Sequence, residues 1–340
     1  MKDEETVKMV YAPVIVTTLN RYEHFKRCIE SLEKNTWAKY TEVYVSVDYP
    51  PEEKYEEGHG NIVKYLSNRE FRGFKKLHLY FQEKNLGMAG NADFLRKKAF
   101  ERFDRVIYFE DDLEVSPNYL EFMDKALEAG RQDDKIYCAS GYTGRIKMPK
   151  SMKGTAFEAL SCSYGNGTYR DKRDKMLQEV SVEWLDDIVY DVRKMFKIFL
   201  RSKVVFHFLL NGYIIQQKKV YFIEDGSIRP IDIVVNVYMI MNDMYSILPT
   251  VSKIRNWGMD GSGQNCGKKQ SMTADKQEFD TNESFEFQLE TNKFVNMLIQ
   301  HRWNWIFKKV TGSEPTILCK EWLYYCYLLI RRKIEKRREQ

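Results

Sequence analysis

The feature that most constrains the fold is the rhythm of the first third of the chain. Val14-Ile15-Val16 and Val43-Tyr44-Val45-Ser46-Val47 are short β-branched and aromatic runs of the kind that form buried strands, and between them Phe25, Ile29 and Leu32 recur at helical spacing. Leu77 to Phe81 gives a third such run. The segment from Ala89 to Phe103 reads as a helix with Phe94, Ala99 and Phe103 available to a core, and Val106 to Phe109 as a fourth strand. Alternation of strand and helix predicts an α/β fold, a mostly parallel sheet flanked by helices, with ligands outside the carboxyl ends of the strands. Asn20-Arg21, Asp48, Gly87 and Glu110 to Asp112 all fall at such ends.

The fourth of these ends is the most acidic. Glu110-Asp111-Asp112 follows Val106-Ile107-Tyr108-Phe109 and precedes Leu113-Glu114-Val115-Ser116-Pro117. Three consecutive acids repel one another, and proteins mostly tolerate such crowding where a cation or a bound hydroxyl neutralises it. The tripeptide is therefore a candidate metal and ligand site, the alternative being a solvated acidic turn. Ser116-Pro117, a hydroxyl cap followed by proline, starts a further helix over Tyr119 to Leu127.

Composition removes several classes. The chain of 340 residues has room for one large domain or two closely packed ones, and 43% hydrophobic residues suffice for a substantial core. A net charge of +5, from 54 basic and 49 acidic residues, is too mild and too mixed to argue for nucleic acid. The six cysteines show neither a C-x-x-C pair nor zinc-ligand spacing, which points to reduced, structural thiols and a reducing compartment. Met1-Lys2-Asp3-Glu4-Glu5 carries acids where a signal peptide wants a basic start, so export is not expected. The longest apolar run, Trp322 to Ile330, is far short of the roughly 20 residues that span a bilayer.

Beyond Gly130 the pattern is less regular. Ser161 to Arg173 reads as a polar, glycine-containing loop, Val180 to Ile223 does not resolve into elements, and Ile231 to Met244 looks helical with Asp232 near its start. Asn256 to Gly263 is glycine-rich, and with its continuation to Gly267 it fails P-loop spacing but suits a mobile lid. A polar linker from Lys268 to Glu283 then leads to a tail. There Phe294, Leu298, Trp303, Trp305, Ile306 and Phe307 precede Lys308 and Lys309, and Trp322 to Ile330 precedes a basic end. Aromatics beside basic residues suit an anionic leaflet, the alternative being a helix packed on the domain with a solvated basic end.

Together these motifs resemble the GT-A glycosyltransferases, specifically the family 2-like bacterial sugar transferases and the related N-acetylglucosaminyltransferase I. Ala12 to Arg21 looks like their opening strand and nucleotide-binding loop. Asp48 stands where the family places a carboxylate against the base, Asn85 to Asn91 looks like the glycine-containing turn bordering the donor pocket, and Phe109 to Pro117 is close to the acidic motif of N-acetylglucosaminyltransferase I.

The resemblance implies a GT-A (Rossmann-like) fold with a C-terminal helical tail. It divides into a donor-binding half at 1–130, an acceptor-binding half of the same domain at 131–270 and an amphipathic, basic membrane-association tail at 271–340. It makes Asp112 the ligand of a divalent Mn²⁺ or Mg²⁺, with Glu110 and Asp111 on the ribose or the metal's waters. Thr17, Asn20, Arg21, Asp48, Gly87 and Asn91 line the nucleotide. Asn20 with Glu23 also reads as a helix capping box, and Gly87 as a plain turn glycine.

Asp232 becomes the general base that takes the acceptor's proton, with Asp187 and its neighbour Asp186 as the next candidates. The flanking residues Ile231 and Val235 depart from the family's aromatics, which leaves Asp232 readable as a helix N-terminal acid. Ser163 to Tyr169 resembles an acceptor-side glycine loop. The implied activity is metal-dependent, inverting transfer of a sugar from a nucleoside diphosphate, expected to be UDP, to a bacterial surface-glycan acceptor (capsule, O-antigen or lipid-linked). It would take place in the cytoplasm on the inner face of the cell membrane, without nucleic acid. A nucleotidyltransferase and a non-catalytic membrane-associated module that binds nucleotide sugars are the alternatives.

Overall fold

The computed structural model describes residues 9–143, 146–161, 164–215, 223–224, 227–228, 232–263, 274–311 and 315–338. Strand and helix alternate first as β1 (Val14–Thr18), α1 (Tyr22–Glu33), β2 (Glu42–Val47), α2 (Glu56–Asn68), β3 (Lys76–Phe81), α3 (Gly87–Phe100) and β4 (Arg105–Glu110). There follow β5 (Leu113–Val115), α4 (Tyr119–Gly130), β6 (Ile136–Ser140), β7 (Ala156–Ala159), β8 (Asn166–Tyr169), α5 (Arg170–Glu179), α6 (Val182–Val189), α7 (Val192–Arg201) and α8 (Lys203–Phe208). The short hairpin β9 (Ile223–Glu224) and β10 (Ser227–Ile228) leads to α9 (Asp232–Met241), β11 (Tyr245–Pro249), β12 (Ile254–Asn256), α10 (Lys293–Thr311) and α11 (Pro315–Arg338).

Eight strands form one sheet in the order β3-β2-β1-β4-β8-β6-β11-β7. β1 pairs in parallel with β2 and β4, and β2 with β3, so these four strands end on one edge. β8 runs antiparallel to β4 and β6, β7 antiparallel to β11, and β6 parallel to β11. Side-chain alternation in β1 builds the layers. Val14 and Val16 pack with Phe25, Ile29 and Leu32 of α1, Ile62 of α2 and Phe122 of α4, whereas Ile15 meets Leu95 and Ala99 of α3. This is the mostly parallel α/β sheet flanked by helices that the alternation predicts.

Three expectations change. Ser161 to Arg173 is not a loop throughout, because Asn166–Tyr169 is a central strand. Gly167 lies so close under α4 that an added Cβ would come 2.9 Å from Leu127, so its smallness serves packing rather than a turn. The linker before the tail is fastened to the core from Asp280 on. Lys253, 1% exposed, reaches Asp280 at 2.6 Å and Asn118 at 2.8 Å, and Leu289 bridges Ala156. Residues 180–215 resolve into α6, α7, α8 and a wide turn, Leu209–Ile215, whose buried side chains join Tyr137 and Cys138 of β6 in a second core. α11 docks on that core through Tyr325 and Trp322. No described helix is long and apolar enough to cross a membrane. Ser163, Gln264 to Gly267, and the side chains of Trp303, Trp305, Ile306, Phe307, Lys308 and Lys309 lie outside the described residues.

Asp124 of α4 is fully buried. Its Oδ1 accepts the Ala12 N–H at 2.8 Å, its Oδ2 has no partner, and burial pushes the carboxyl up to about 8. An acid whose folded value exceeds its unfolded one stabilises the fold fully below the unfolded value, near 4, and loses that contribution as pH rises towards 8. Urea unfolding of Asp124→Asn between pH 4 and 8.5 should therefore show a decline in stability smaller than the wild type's by a few kcal/mol. Parallel pH profiles for the two proteins would contradict the assignment.

Candidate active site

The site grows out of the pairing of β1 with β4. Thr17 is opposite Glu110, so the loop that leaves β1 lies directly beside the acidic turn that leaves β4. Thr18 donates its hydroxyl to Asp111 Oδ2 at 2.8 Å. The Arg21 guanidinium, at the start of α1, pairs with Asp111 and lies 3.0 Å from Asp112 Oδ2. One cation thus faces two carboxylates that are nearly inaccessible to water. The balance remains negative. Burial first, then Asp112, Asp232 and Asp111, push Glu110 up to about 8, and Asp111 is raised because burial outweighs Arg21.

Asp112 carries the most informative atom. Its Oδ1 is buried with no hydrogen-bond partner. The other oxygen lies under Gly258, where an added Cβ would fall 2.1 Å from Oδ2, and the Asp112 carbonyl accepts the Trp257 N–H at 2.8 Å. Among the described residues no three His, Cys, Asp or Glu side chains converge as a closed metal cluster. One carboxylate oxygen completed by diphosphate oxygens and water is nevertheless the donor set that a small hard cation takes, and the orphaned Oδ1 fits it.

Asp48 sits at the end of β2. Its Oδ1 accepts the N–H groups of Leu86 at 2.8 Å and Tyr49 at 2.9 Å, and its Oδ2 accepts from Asn85 at 3.3 Å. Burial raises its carboxyl against these bonds. Gly87 opens α3 at φ +68° with open space about it, so it is needed for its conformation. Asn91 is buried and tied to Ser46 of β2. Thr17 is buried, its hydroxyl 3.4 Å from the Tyr108 hydroxyl. Asn20 makes no capping box, since Arg21 occupies the cap position of α1 and no side chain bonds there.

The second half contributes Asp232, the first residue of α9. It is open to solvent yet surrounded by protein on its inner side. That partial burial pushes its carboxyl up to about 6, with Arg96 pulling the other way, and its charge is felt at Glu110 and Tyr108. Asp187 instead pairs with Lys194 of α7, and Asp186 accepts from the Tyr213 hydroxyl at 2.9 Å. The described part of the expected acceptor loop reaches the same edge, because Asn166 is opposite Tyr108. Tyr164 packs edge-on against Tyr142 at 5.2 Å.

Sequence reasoning missed His59 and named Asn256 to Gly258 only as part of a mobile lid, not for the contacts they make. β12 pairs with β5 and brings Asn256 to Gly258 over Asp112, while Trp257 bonds Glu114 at 2.8 Å and is covered by Arg27 at 3.9 Å. The glycine run of 258–263 was the available signal for such close approach. His59 of α2, beside Asp48, keeps a buried Nε2 without a partner, and Gly58 abuts the Asn20 carbonyl. α2 buries only Ile62 and Leu66, which left it without a readable stripe.

The sheet order and an acidic turn at the carboxyl edge define a GT-A-type transferase domain. The model of glycosyl transferase family 2 matches residues 14–184, just over half of the chain, and the chain belongs to that family. Among curated proteins none matches. The chain is similar to the solved structure of Staphylococcus aureus TarS residues 1–349, at 20% identity and TM-score 0.32, over 53% of this chain and 50% of that one. The complex of TarS with UDP-GlcNAc gives 22% and 0.34 over 53% and 48%. The mannosyltransferase PcManGT of Pyrobaculum calidifontis, solved with GDP-Man and Mn²⁺, gives 13% and 0.34 over 51% and 47%. The chain thus spans about half the length of each of these structures, and likeness at this level carries neither donor nor metal to it.

Gly258→Ala tests the packing over Asp112. The added methyl has no room beside Oδ2, and overpacking of this kind costs about 1–3 kcal/mol. Thermal melts should show a lower Tm and loss of any Mn²⁺-dependent stabilisation, and a variant that responds to Mn²⁺ like the wild type would refute the arrangement.

Proposed function

We propose that this chain is a metal-dependent, inverting glycosyltransferase that moves a sugar from a nucleoside diphosphate, UDP in this reading, to a hydroxyl of a bacterial surface-glycan intermediate. The observation that carries the reading is the buried, unpartnered Oδ1 of Asp112 beside Arg21 and Glu110, with Asp232 within electrostatic reach. Residues 1–130 then serve the donor and 131–270 the acceptor. Asp48 Oδ2 and His59 Nε2 face the base, and Thr17, Arg21 and Gly87 border the phosphates. The closer kinship with N-acetylglucosaminyltransferase I rests on the Phe109 to Pro117 motif alone.

In the reaction the acceptor oxygen bonds to the anomeric carbon as the bond from that carbon to the diphosphate breaks. Asp232 takes the hydroxyl proton. Asp112 would hold Mn²⁺ or Mg²⁺, which when bound supplies charge to the departing diphosphate. Arg21 stays beside Asp111 and keeps the turn from repelling itself open, and Glu110 and Asp111 contact the ribose or the metal's waters. A membrane-held acceptor accords with a basic, aromatic C-terminal region and with a place on the inner face of the cell membrane.

Mn²⁺ and UDP together should raise the Tm of the wild type by several degrees and leave Asp112→Asn unmoved. No shift in the wild type would end the donor reading, whereas a nucleotidyltransferase would respond instead to a nucleoside triphosphate.

Asp232→Asn should keep that stabilisation while transfer falls by about 10²–10⁴. In the wild type kcat/KM should rise with pH through about 6, because the base acts only when its carboxyl has lost its proton. Transfer that does not change across pH 5 to 7 would assign the base elsewhere.

A further inference from the structure

We infer that α7 and α11 together form one surface that seats the protein on an anionic lipid leaflet, with α7 as integral a part as the C-terminal helix. The inference rests on the proposed membrane-held acceptor and extends it to a segment of the chain far from the tail. Val192, Phe196 and Leu200 recur at helical spacing along α7 and are exposed, Leu200 at 59%. Met195 and Ile198 face the core instead, and of the exposed stripe only Phe196 also makes ring contacts, with Phe199 and Trp322.

The same division holds on α11. Trp322, Tyr325, Cys326 and Leu329 pack on the helical core, whereas Leu323, Tyr327, Ile330 and Ile334 form a second stripe, Leu323 at 68% and Ile330 at 59% exposed. The two helices meet where the Phe196 ring packs 5.2 Å from Trp322, the residue preceding Leu323. A folded protein seldom leaves two adjoining stripes of large apolar side chains in water without a partner for them.

Charge identifies the partner. From 192 to 208 the sequence carries Arg193, Lys194, Lys197, Arg201 and Lys203 and no acid. Asp187 and Asp243 are partners of Lys194, Lys197 and Arg201, and the excess stays positive. The end of α11 carries Arg331, Arg332, Lys333, Lys336, Arg337 and Arg338 against Glu335. Apolar stripes flanked by cations, with tyrosines 324 and 327 whose rings are apolar and whose hydroxyls are polar, match the boundary between headgroups and acyl chains of an anionic leaflet. A second copy of this chain would set these cations against one another.

The test is flotation of the full chain with vesicles of phosphatidylglycerol or of phosphatidylcholine. The wild type should float with the first and not the second, less so as salt is raised. Val192→Glu/Leu200→Glu and, separately, Leu323→Glu/Ile330→Glu should each lower partitioning about tenfold or more, at unchanged Tm. If the α7 pair floats like the wild type and only the α11 pair fails, the shared surface is refuted while the membrane reading stands. If the wild type does not float, the membrane reading itself falls. A wild-type dimer that the α7 pair dissociates, without vesicle binding, makes a second copy the occupant and overturns the inference. Hydrogen exchange of the wild type keeps the test independent of how the variants fold: vesicles should protect both helices, and protection of α11 alone would count against the composite surface. Asp112→Asn should float unchanged, so failure here is distinguishable from failure of the transfer reading.

Discussion

The site depends on the ion pairing of Arg21 with the acidic turn after β4. Three carboxylates in succession, two of them shielded from water, are unstable without a cation, and the cation they face comes from the start of α1, just after β1. Parallel pairing of β1 with β4 delivers it, because the register that sets Thr17 against Glu110 brings the following Thr18 and Arg21 against Asp111 and Asp112. The guanidinium balances one charge of two, and Glu110 is raised to about 8 by burial first and then by the neighbouring carboxylates. The turn therefore keeps an unmet demand for positive charge, and Asp112 Oδ1 is the atom through which it can be met.

The second constraint joins the halves of the chain. β12 pairs with β5, so Asn256, Trp257 and Gly258 are held over the acidic turn by main-chain bonds and by the Trp257 to Glu114 contact. Gln277 holds Asn256 in turn, accepting its N–H and donating to its carbonyl, both at 2.8 Å. Lys253 and Asp280 fix the segments on either side through a buried ion pair that Asn118 completes. Such a pair contributes little net stability against an apolar alternative, but breaking it leaves a charge stranded in the core, which makes it effective at specifying position. A loop read from sequence as a mobile lid is, over residues 256–263, anchored at its base.

What was legible in the sequence follows from locality. β1 to β4 are β-branched or aromatic runs, and Glu110 to Asp112 are adjacent in the chain, so their crowding is visible from residue order alone. Arg21 was named from sequence as a residue lining the nucleotide, but its pairing with Asp111 and Asp112 was not visible, because that comes from the strand pairing. β8 was invisible. Asn166-Gly167-Thr168-Tyr169 looks like a loop by composition, yet the β4 and β6 backbones on either side and the closeness of α4 over Gly167 demand a small residue there. Lys253 was passed over for the same reason, since a buried lysine cannot be told from a solvated one without its partners Asp280 and Asn118.

The C-terminal helix shows why two readings of one segment need not compete. By composition α11 supports a helix packed on the domain and a helix held at a leaflet equally well, because both require aromatics beside cations. Its spacing separates them: Trp322, Tyr325, Cys326 and Leu329 supply the packed face, and Leu323, Tyr327, Ile330 and Ile334 a different one. α7 repeats the division with Met195 and Ile198 against Val192, Phe196 and Leu200. α7 is cleanly amphipathic, with Arg193, Lys194, Lys197 and Arg201 gathered opposite one wide apolar arc that is buried on its Met195 and Ile198 side and exposed on its Val192, Phe196 and Leu200 side, whereas α11 has no clean amphipathic period. In both helices the apolar surface is wider than the protein core covers, which is what the sequence pattern of a helix does not reveal until its packed side is known.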